Sequence, residues 1–315
     1  MSVIGVDIGG TKIAAAVVSP DGSLGPVRTE PTPGNDVADT ARAIVGLVGE
    51  LAGDGAPTAV GIGAAGWISA DRATVLFSPH LAWRNERLRD SLQARIGAPI
   101  IIENDANAAA WAEYRFGAAR GHATALCVTL GTGIGGGIVL DGQIFRGAFG
   151  LAGEWGHTRV VPDGRRCACG NRGCWEQYAS GRALARDARE LAENSPVSAE
   201  GLLREVGGDP TAFTGVDVSR AAAAGDPAAV EIVTEAGHWL GQGIADICAI
   251  LDPSIVVVGG GVAQVGAALL DPARVRFGQV LTGRGFREHA TIVGAKLGVH
   301  AGIIGAADLA RREVG

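Results

Sequence analysis

The sequence predicts an α/β protein of two domains with an internal duplication, on three observations. Short apolar runs of the kind that form buried strands alternate with segments of helical spacing along 315 residues. One plan, strand–glycine loop–strand–Asp-Gly turn, occurs twice. The 50 glycines, well above ordinary usage of about 7%, gather at the ends of the apolar runs with no collagen-like period, as tight loops between strands require. Hydrophobic residues at 47% and charged residues at 19% supply buried cores and argue against disorder. The net charge is 27 − 33 = −6 without a basic run, which argues against a nucleic-acid-binding face.

Val3–Ile8 is the first strand, followed by Gly9-Gly10-Thr11-Lys12, a second run from Ile13 to Val18, and the turn Asp21-Gly22. The copy runs from Ala125 to Leu130, through Gly131-Thr132-Gly133, along Ile134 to Leu140, and into Asp141-Gly142. Between them, Asp36–Gly53 has helical spacing, Ala59–Ala64 and Ile100–Ile102 read as buried parallel strands, and Ala106–Phe116 reads as a helix capped at Asn104-Asp105 and ended by Gly117. Ser180–Asn194, Pro227–Ile250 and Ile303–Arg312 are helical, and Ile255–Val258 is a strand leading into Gly259-Gly260-Gly261. The expected domains are 1–117 with 301–315, and 118–300. Met1 leads directly into a strand with no basic n-region, so the expected location is cytoplasmic. The uncharged stretches 121–140 and 253–270 each hold several glycines and read as strand and loop, not as membrane spans.

Phosphate binding needs backbone N–H groups that no side chain screens, and the loops at Gly9-Gly10-Thr11 and Gly131-Thr132-Gly133 offer them, each with a threonine hydroxyl. A bare hairpin turn is the alternative for either loop; two matched loops weigh against it. Gly131–Gly136 also fits G-x-G-x-x-G, but a dinucleotide site needs a helix after the loop, and Ile134–Leu140 reads as a strand. Asp7 stands inside an apolar strand before the first loop, where a carboxylate needs a partner or a cation; nucleotide magnesium would satisfy it, and a loop cap is the alternative. Asn104 and Asp105 arrive at the carboxyl end of a strand, where α/β folds bind ligands. An aspartate at a helix start stays ionised and could take the proton of an attacking hydroxyl, or serve only as an N-cap.

His157, Cys167, Cys169 and Cys174 crowd one short glycine-containing segment. Four soft or borderline donors and no open position suit a structural zinc ion. Glu154 and Glu176 flank the segment, where a pinned loop would hold both carboxylates for adjacent sugar hydroxyls, or each is an ordinary surface glutamate.

Together, Asp7-Ile8-Gly9-Gly10-Thr11, Glu103-Asn104-Asp105-Ala106-Asn107, Leu130–Gly135, Glu154-Trp155-Gly156-His157 and Cys167-x-Cys169-Gly170-x-x-Gly173-Cys174-x-Glu176 resemble the ROK (repressor, open reading frame, kinase) family, most of all its bacterial glucokinases, over essentially the whole chain. The resemblance implies a two-domain actin-like (ribonuclease H-like) sugar kinase fold, with an interdomain cleft that closes on a hexose and ATP–Mg2+ and with a zinc-stabilised loop. It implies Asp105 as general base, and Gly66, Asn104, Asp105 itself, Glu154, His157 and Glu176 as sugar ligands. His157 would turn one ring nitrogen to zinc and the other to the hexose. Asp7, Gly9, Gly10, Thr11 and Lys12, with Gly131, Thr132 and Gly133, would serve the phosphates, and Gly259, Gly260 and Gly261 the adenosine. The expected reaction is phosphorylation of glucose at the 6-hydroxyl by a homodimer or homotetramer. The rivals are a kinase for N-acetylmannosamine, N-acetylglucosamine or fructose, a zinc-stabilised sugar sensor without turnover, and a nucleotide-hydrolysing actin or chaperone relative. The family's repressors carry an N-terminal DNA-binding arm; this sequence starts at the first strand, so a DNA-binding role is not expected.

Overall fold

The computed structural model describes residues 2–34 and 36–314; Met1, Asn35 and Gly315 lie outside the described residues. They cluster into two compact units, one of residues up to 123, 137–153 and from 296 on, the other of residues 124–136 and 154–295.

The first unit is built on a sheet of order β3-β2-β1-β4-β8. Strand β1 (Val3–Ile8) pairs antiparallel with β2 (Lys12–Val17), which pairs with β3 (Arg28–Pro31) at the edge. On its other side β1 runs parallel to β4 (Ala59–Ala64), and β4 parallel to β8 (Ile100–Asn104). Both faces are covered, which is why β4 and, apart from Asp7, β1 are apolar instead of alternating. One face packs Ile4, Val6, Ile8 and Ile62 with Ile44 and Leu47 of α1 (Val37–Ala52). A small sheet, β5 (Trp67–Ile68), β6 (Val75–Phe77) and β7 (Arg84–Glu86), adds Ile68 and Val75 to that core, and α2 (Leu88–Ile96) adds Leu88 and Leu92. The other face packs Val3, Ala14 and Ala16 against Ile303, Ile304 and Ala307 of the C-terminal helix α10 (Ala301–Val314), beside Ala112 of α3 (Asp105–Phe116). Helix α10 lies so close that a Cβ on Gly61 of β4 would run into the carbonyl of Ala306.

The second sheet repeats the plan: β11 (Gln143–Ile144), β10 (Ile134–Leu140), β9 (Ala125–Leu130), β12 (Ile255–Gly259) and β13 (Thr291–Gly294), in that spatial order. As β4 does beside β1, β12 runs parallel to β9. The duplicated sequence plan is therefore a duplicated sheet plan. The helices of the second unit are α4 (Glu176–Ala179), α5 (Gly181–Asn194), α6 (Glu200–Glu205), α7 (Gly215–Ala223), α8 (Pro227–Leu251) and α9 (Ala267–Val280). Helix α8 begins with Asp226 accepting from the Ala229 N–H and with Pro227 in its first turn, and stops at Asp252 in the left-handed conformation. No helix among the described residues is long and apolar enough to cross a membrane.

Candidate active site and metal centre

In the first unit, β8 ends and α3 begins at Asn104-Asp105. The cap is Asn104: its Oδ1 accepts the Asn107 N–H at 3.0 Å, and its Nδ2 donates to the Gly66 carbonyl at 3.1 Å. Asp105 is thereby the first helical residue, and its Oδ1 accepts the Ala106 N–H at 2.9 Å. The capping that sequence reading divided between the two residues falls to Asn104, and Gly66 is joined to the same corner. Asp7 stands near it, on the far side of Gly63, whose vacant Cβ position lies 3.6 Å from Asp7 Oδ1 and 3.7 Å from Asp105 Cα. Burial pushes the Asp7 carboxyl from the usual 3.8 up to about 6, against a smaller opposing pull from Lys12. A cation would reverse that shift, so Asp7 fits a magnesium-linked role. The loop after β1 closes through the Gly9 N–H on the Lys12 carbonyl (3.0 Å), and Thr32 Oγ1 donates to the Gly9 carbonyl (2.8 Å).

Immediately before Asn104, the Glu103 carboxylate is buried and fully engaged. Its Oε1 accepts from the Asn104 N–H and from Asn107 Nδ2, both at 3.0 Å. Its Oε2 accepts from Arg146 Nε at 2.7 Å and forms an ion pair with the same guanidinium, 2.6 Å from Nη2.

In the second unit, the donor atoms of His157, Cys167, Cys169 and Cys174 all lie within 4.8 Å of one another. His157 Nδ1 is 3.6 Å from Cys167 Sγ, and Cys169 Sγ is 3.6 Å from Cys174 Sγ. Zn–S bonds of about 2.3 Å in a tetrahedron put sulfurs roughly 3.7 Å apart, so the cluster fits a structural zinc ion. The thiols ride on a tight hairpin in which the Cys167 N–H donates to Asn171 O (2.9 Å) and the Gly173 N–H to Arg165 O (2.8 Å). Burial pushes the Cys167 and Cys174 thiols up, a penalty that a bound cation removes. The expected sugar ligands of this unit stand around the cluster. Glu176 Oε1 accepts from Cys167 Sγ at 3.1 Å and lies 3.9 Å from His157 Nδ1, while Glu154 Oε2 lies 3.9 Å from His157 Nε2. The other Glu176 oxygen rests against Gly133, which ties the hairpin to the glycine loop.

That loop borders a cavity of about 340 Å³ lined by Gly131, Thr132 and Gly261 together with Arg182 and Ala185 of α5 and Val216 of α7. The volume suits a nucleoside-sized ligand, and its wall combines backbone and small apolar side chains with Arg182 and the hydroxyl residues Thr132, Thr214 and Ser219. Gly133, Gly259 and Gly260 are not on the wall; Gly260, at φ +90°, packs on the Leu130 backbone. Gly135 and Gly136 lie in strand β10, where the Trp155 ring covers Gly136, so no helix follows the G-x-G-x-x-G run. The residues missed by sequence reading are Arg146, which sits 43 positions from its partner Glu103, and Arg182, Ala185 and Val216 of the cavity. For α7 a signal existed: Thr214 and Asp217 form a reciprocal capping box.

Comparison with known proteins gives consistent matches. The ROK family model matches residues 3–313. The glucokinase of Streptomyces coelicolor is 48% identical over 313 residues, 98% of this chain and 97% of that protein. The glucokinase of Thermotoga maritima is 36% identical, covering 100% of this chain and 99% of its own. Among solved structures, a ROK family glucokinase from Streptomyces griseus in complex with glucose and AMPPNP superposes with a TM-score of 0.92 at 49% identity, over 99% of this chain and 100% of that one.

Proposed function

The chain belongs to the ROK family, and we propose that it is a glucokinase that transfers the γ-phosphoryl group of ATP to the 6-hydroxyl of glucose. The observation that carries this reading is the full-length match, at 49% identity, to a glucokinase crystallised with glucose and an ATP analogue. The chemistry of the residues agrees with it.

The sugar O6 attacks the γ-phosphorus, the bond from that phosphorus to the β–γ bridging oxygen breaks, ADP leaves, and the hydroxyl proton passes to the Asp105 carboxylate. In a loose transition state the proton departs late, so the position of Asp105 matters more than its basicity. Asn104, Glu154, His157 and Glu176 take the sugar hydroxyls, with the Gly66 carbonyl already committed to Asn104. Glycine loops 9–12 and 131–133 supply backbone N–H groups to the phosphates, and the cavity beside Ala185 and Val216 takes the adenosine. Magnesium, carried by the nucleotide and held through Asp7, would neutralise charge on the phosphates. His157, Cys167, Cys169 and Cys174 would hold a zinc ion with four protein ligands, and zinc there would serve structure by keeping His157 and the neighbouring Glu176 in place. The same resemblance supports a homodimer or homotetramer, which sedimentation would measure.

A coupled assay of sugar 6-phosphate formation tests the reading across glucose, N-acetylmannosamine, N-acetylglucosamine and fructose, with ATP and polyphosphate compared. The highest kcat/KM is expected for glucose with ATP. A higher value for another hexose overturns the sugar, and tight glucose binding without product marks a sensor instead.

A further inference from the structure

We infer that Arg146 is a positioning residue for Asp105, acting through Glu103; the inference rests on the proposed kinase reaction. The Glu103 side chain is 3% exposed and that of Arg146 25%. A carboxylate so buried is tolerated only when paired and hydrogen-bonded, and Arg146 does both at one oxygen: its Nε donates, and its Nη2 lies 2.6 Å away in the ion pair. The other oxygen does different work. It accepts from the Asn104 N–H on one side of Asp105 and from the Asn107 side chain on the other. The peptide that carries Asp105 is thus held at two points by one carboxylate, and Arg146 fixes that carboxylate. Arg146 is itself anchored, since its carbonyl accepts the Ala152 N–H at 3.0 Å and closes the turn 146–152.

The buried acids elsewhere in this unit show what a purely architectural pair looks like. Asp308 accepts from Trp111 Nε1 at 2.9 Å and Arg115 Nε at 3.1 Å, joining α10 to α3. Glu113 accepts from the Lys296 and Leu297 N–H groups. Among the described residues, neither carboxylate accepts a hydrogen bond from residues 104–107, whereas Glu103 accepts from two of them. An aspartate whose value lies in its position gains from such a clamp, and loss of the clamp is felt in the transition state more than in ground-state binding.

The test is steady-state kinetics on the full chain with glucose and ATP, beside thermal unfolding. Arg146→Met strands the Glu103 charge, and kcat is expected to fall by at least about 30-fold while KM for ATP stays within about threefold. The double variant Glu103→Gln/Arg146→Met keeps an acceptor for Asn104 and Asn107 without a lone charge, and is expected to recover most of the lost kcat. Arg146→Lys keeps the charge but not the two-nitrogen grip and is expected to lie roughly three- to tenfold below wild type. Arg115→Met, which breaks the Asp308 pair, is expected to lower the melting temperature with kcat within about twofold. Wild-type kcat in Arg146→Met, or no recovery in a folded double variant, overturns the inference. If Arg146→Met does not fold, Arg146→Lys decides: reduced kcat at unchanged ATP KM supports the clamp, and wild-type kcat overturns it. Absence of glucose 6-phosphate from the wild-type protein would instead overturn the kinase reading itself.

Discussion

The Asp105 corner and the thiol hairpin both present acidic groups rigidly, and they do so by opposite means. The corner stands where β8 meets α3, on a sheet covered on both faces, and is fixed by an N-cap, the Gly66 contact and the buried Glu103–Arg146 pair. The hairpin has little regular structure to lean on: Trp155–His157 is a single 3-10 turn and α4 has four residues. Four side chains arranged to fit a metal ion stand where strands and helices serve elsewhere. An N-cap is worth about 1 kcal/mol, whereas structural zinc in finger peptides is worth roughly 10–16 kcal/mol apparent. The corner therefore spreads its stability over many contacts, whereas a zinc ion at the cluster would concentrate the hairpin's stability at one point. Disturbing the first should change chemistry; disturbing the second should change binding and local order.

The largest expected effect falls on the corner. Asp105→Asn should lower kcat for glucose phosphorylation by about 10²–10⁴-fold, the usual worth of a general base, with the melting temperature nearly unchanged. Turnover within tenfold of wild type would break the assignment. At the hairpin, stripping zinc with a strong chelator should raise KM for glucose by about tenfold or more and lower the melting temperature, with both restored by added zinc. Unchanged KM and melting temperature would remove the contrast between the regions. Ala185→Trp, which fills the cavity beside Gly131, should raise KM for ATP by about tenfold and leave glucose affinity alone; a rise confined to glucose would relocate the nucleotide.

The smallest effect sharpens the first region. The fold favours protonated Asp7, because burial lifts its carboxyl from 3.8 to about 6. Its contribution to stability is full below the lower value and is lost as pH rises through the upper one. Asp7→Asn should therefore raise the melting temperature at pH 7.5 in the absence of nucleotide, by up to about 3 kcal/mol of stability, and leave it unchanged near pH 3. An equal gain at both pH values would show that charge is not the cause.

The same contrast governs what could be read in advance. Strands β1, β4, β9 and β12 were legible because doubly covered strands are continuous apolar runs. The small sheet was not, since β5, β6 and β7 have two or three residues and no periodicity can register in them. Helix α2 buries only Leu88 and Leu92, and α9 carries Pro272 in its interior, so neither shows a full amphipathic stripe. The thiol cluster was legible because its four donors lie within one short stretch of chain. The Glu103–Arg146 pair was not, because nothing local to either residue reports a partner so far along the chain.

The central claim is that the strand-end corner performs the chemistry while the metal-pinned hairpin holds the sugar. Calorimetric titration of glucose into wild-type, Asp105→Asn and zinc-stripped protein addresses it most directly. The account predicts a dissociation constant within about threefold of wild type for Asp105→Asn, and one weakened by about tenfold or more after zinc removal. Equal weakening in both proteins, or unchanged affinity in the stripped one, would contradict it.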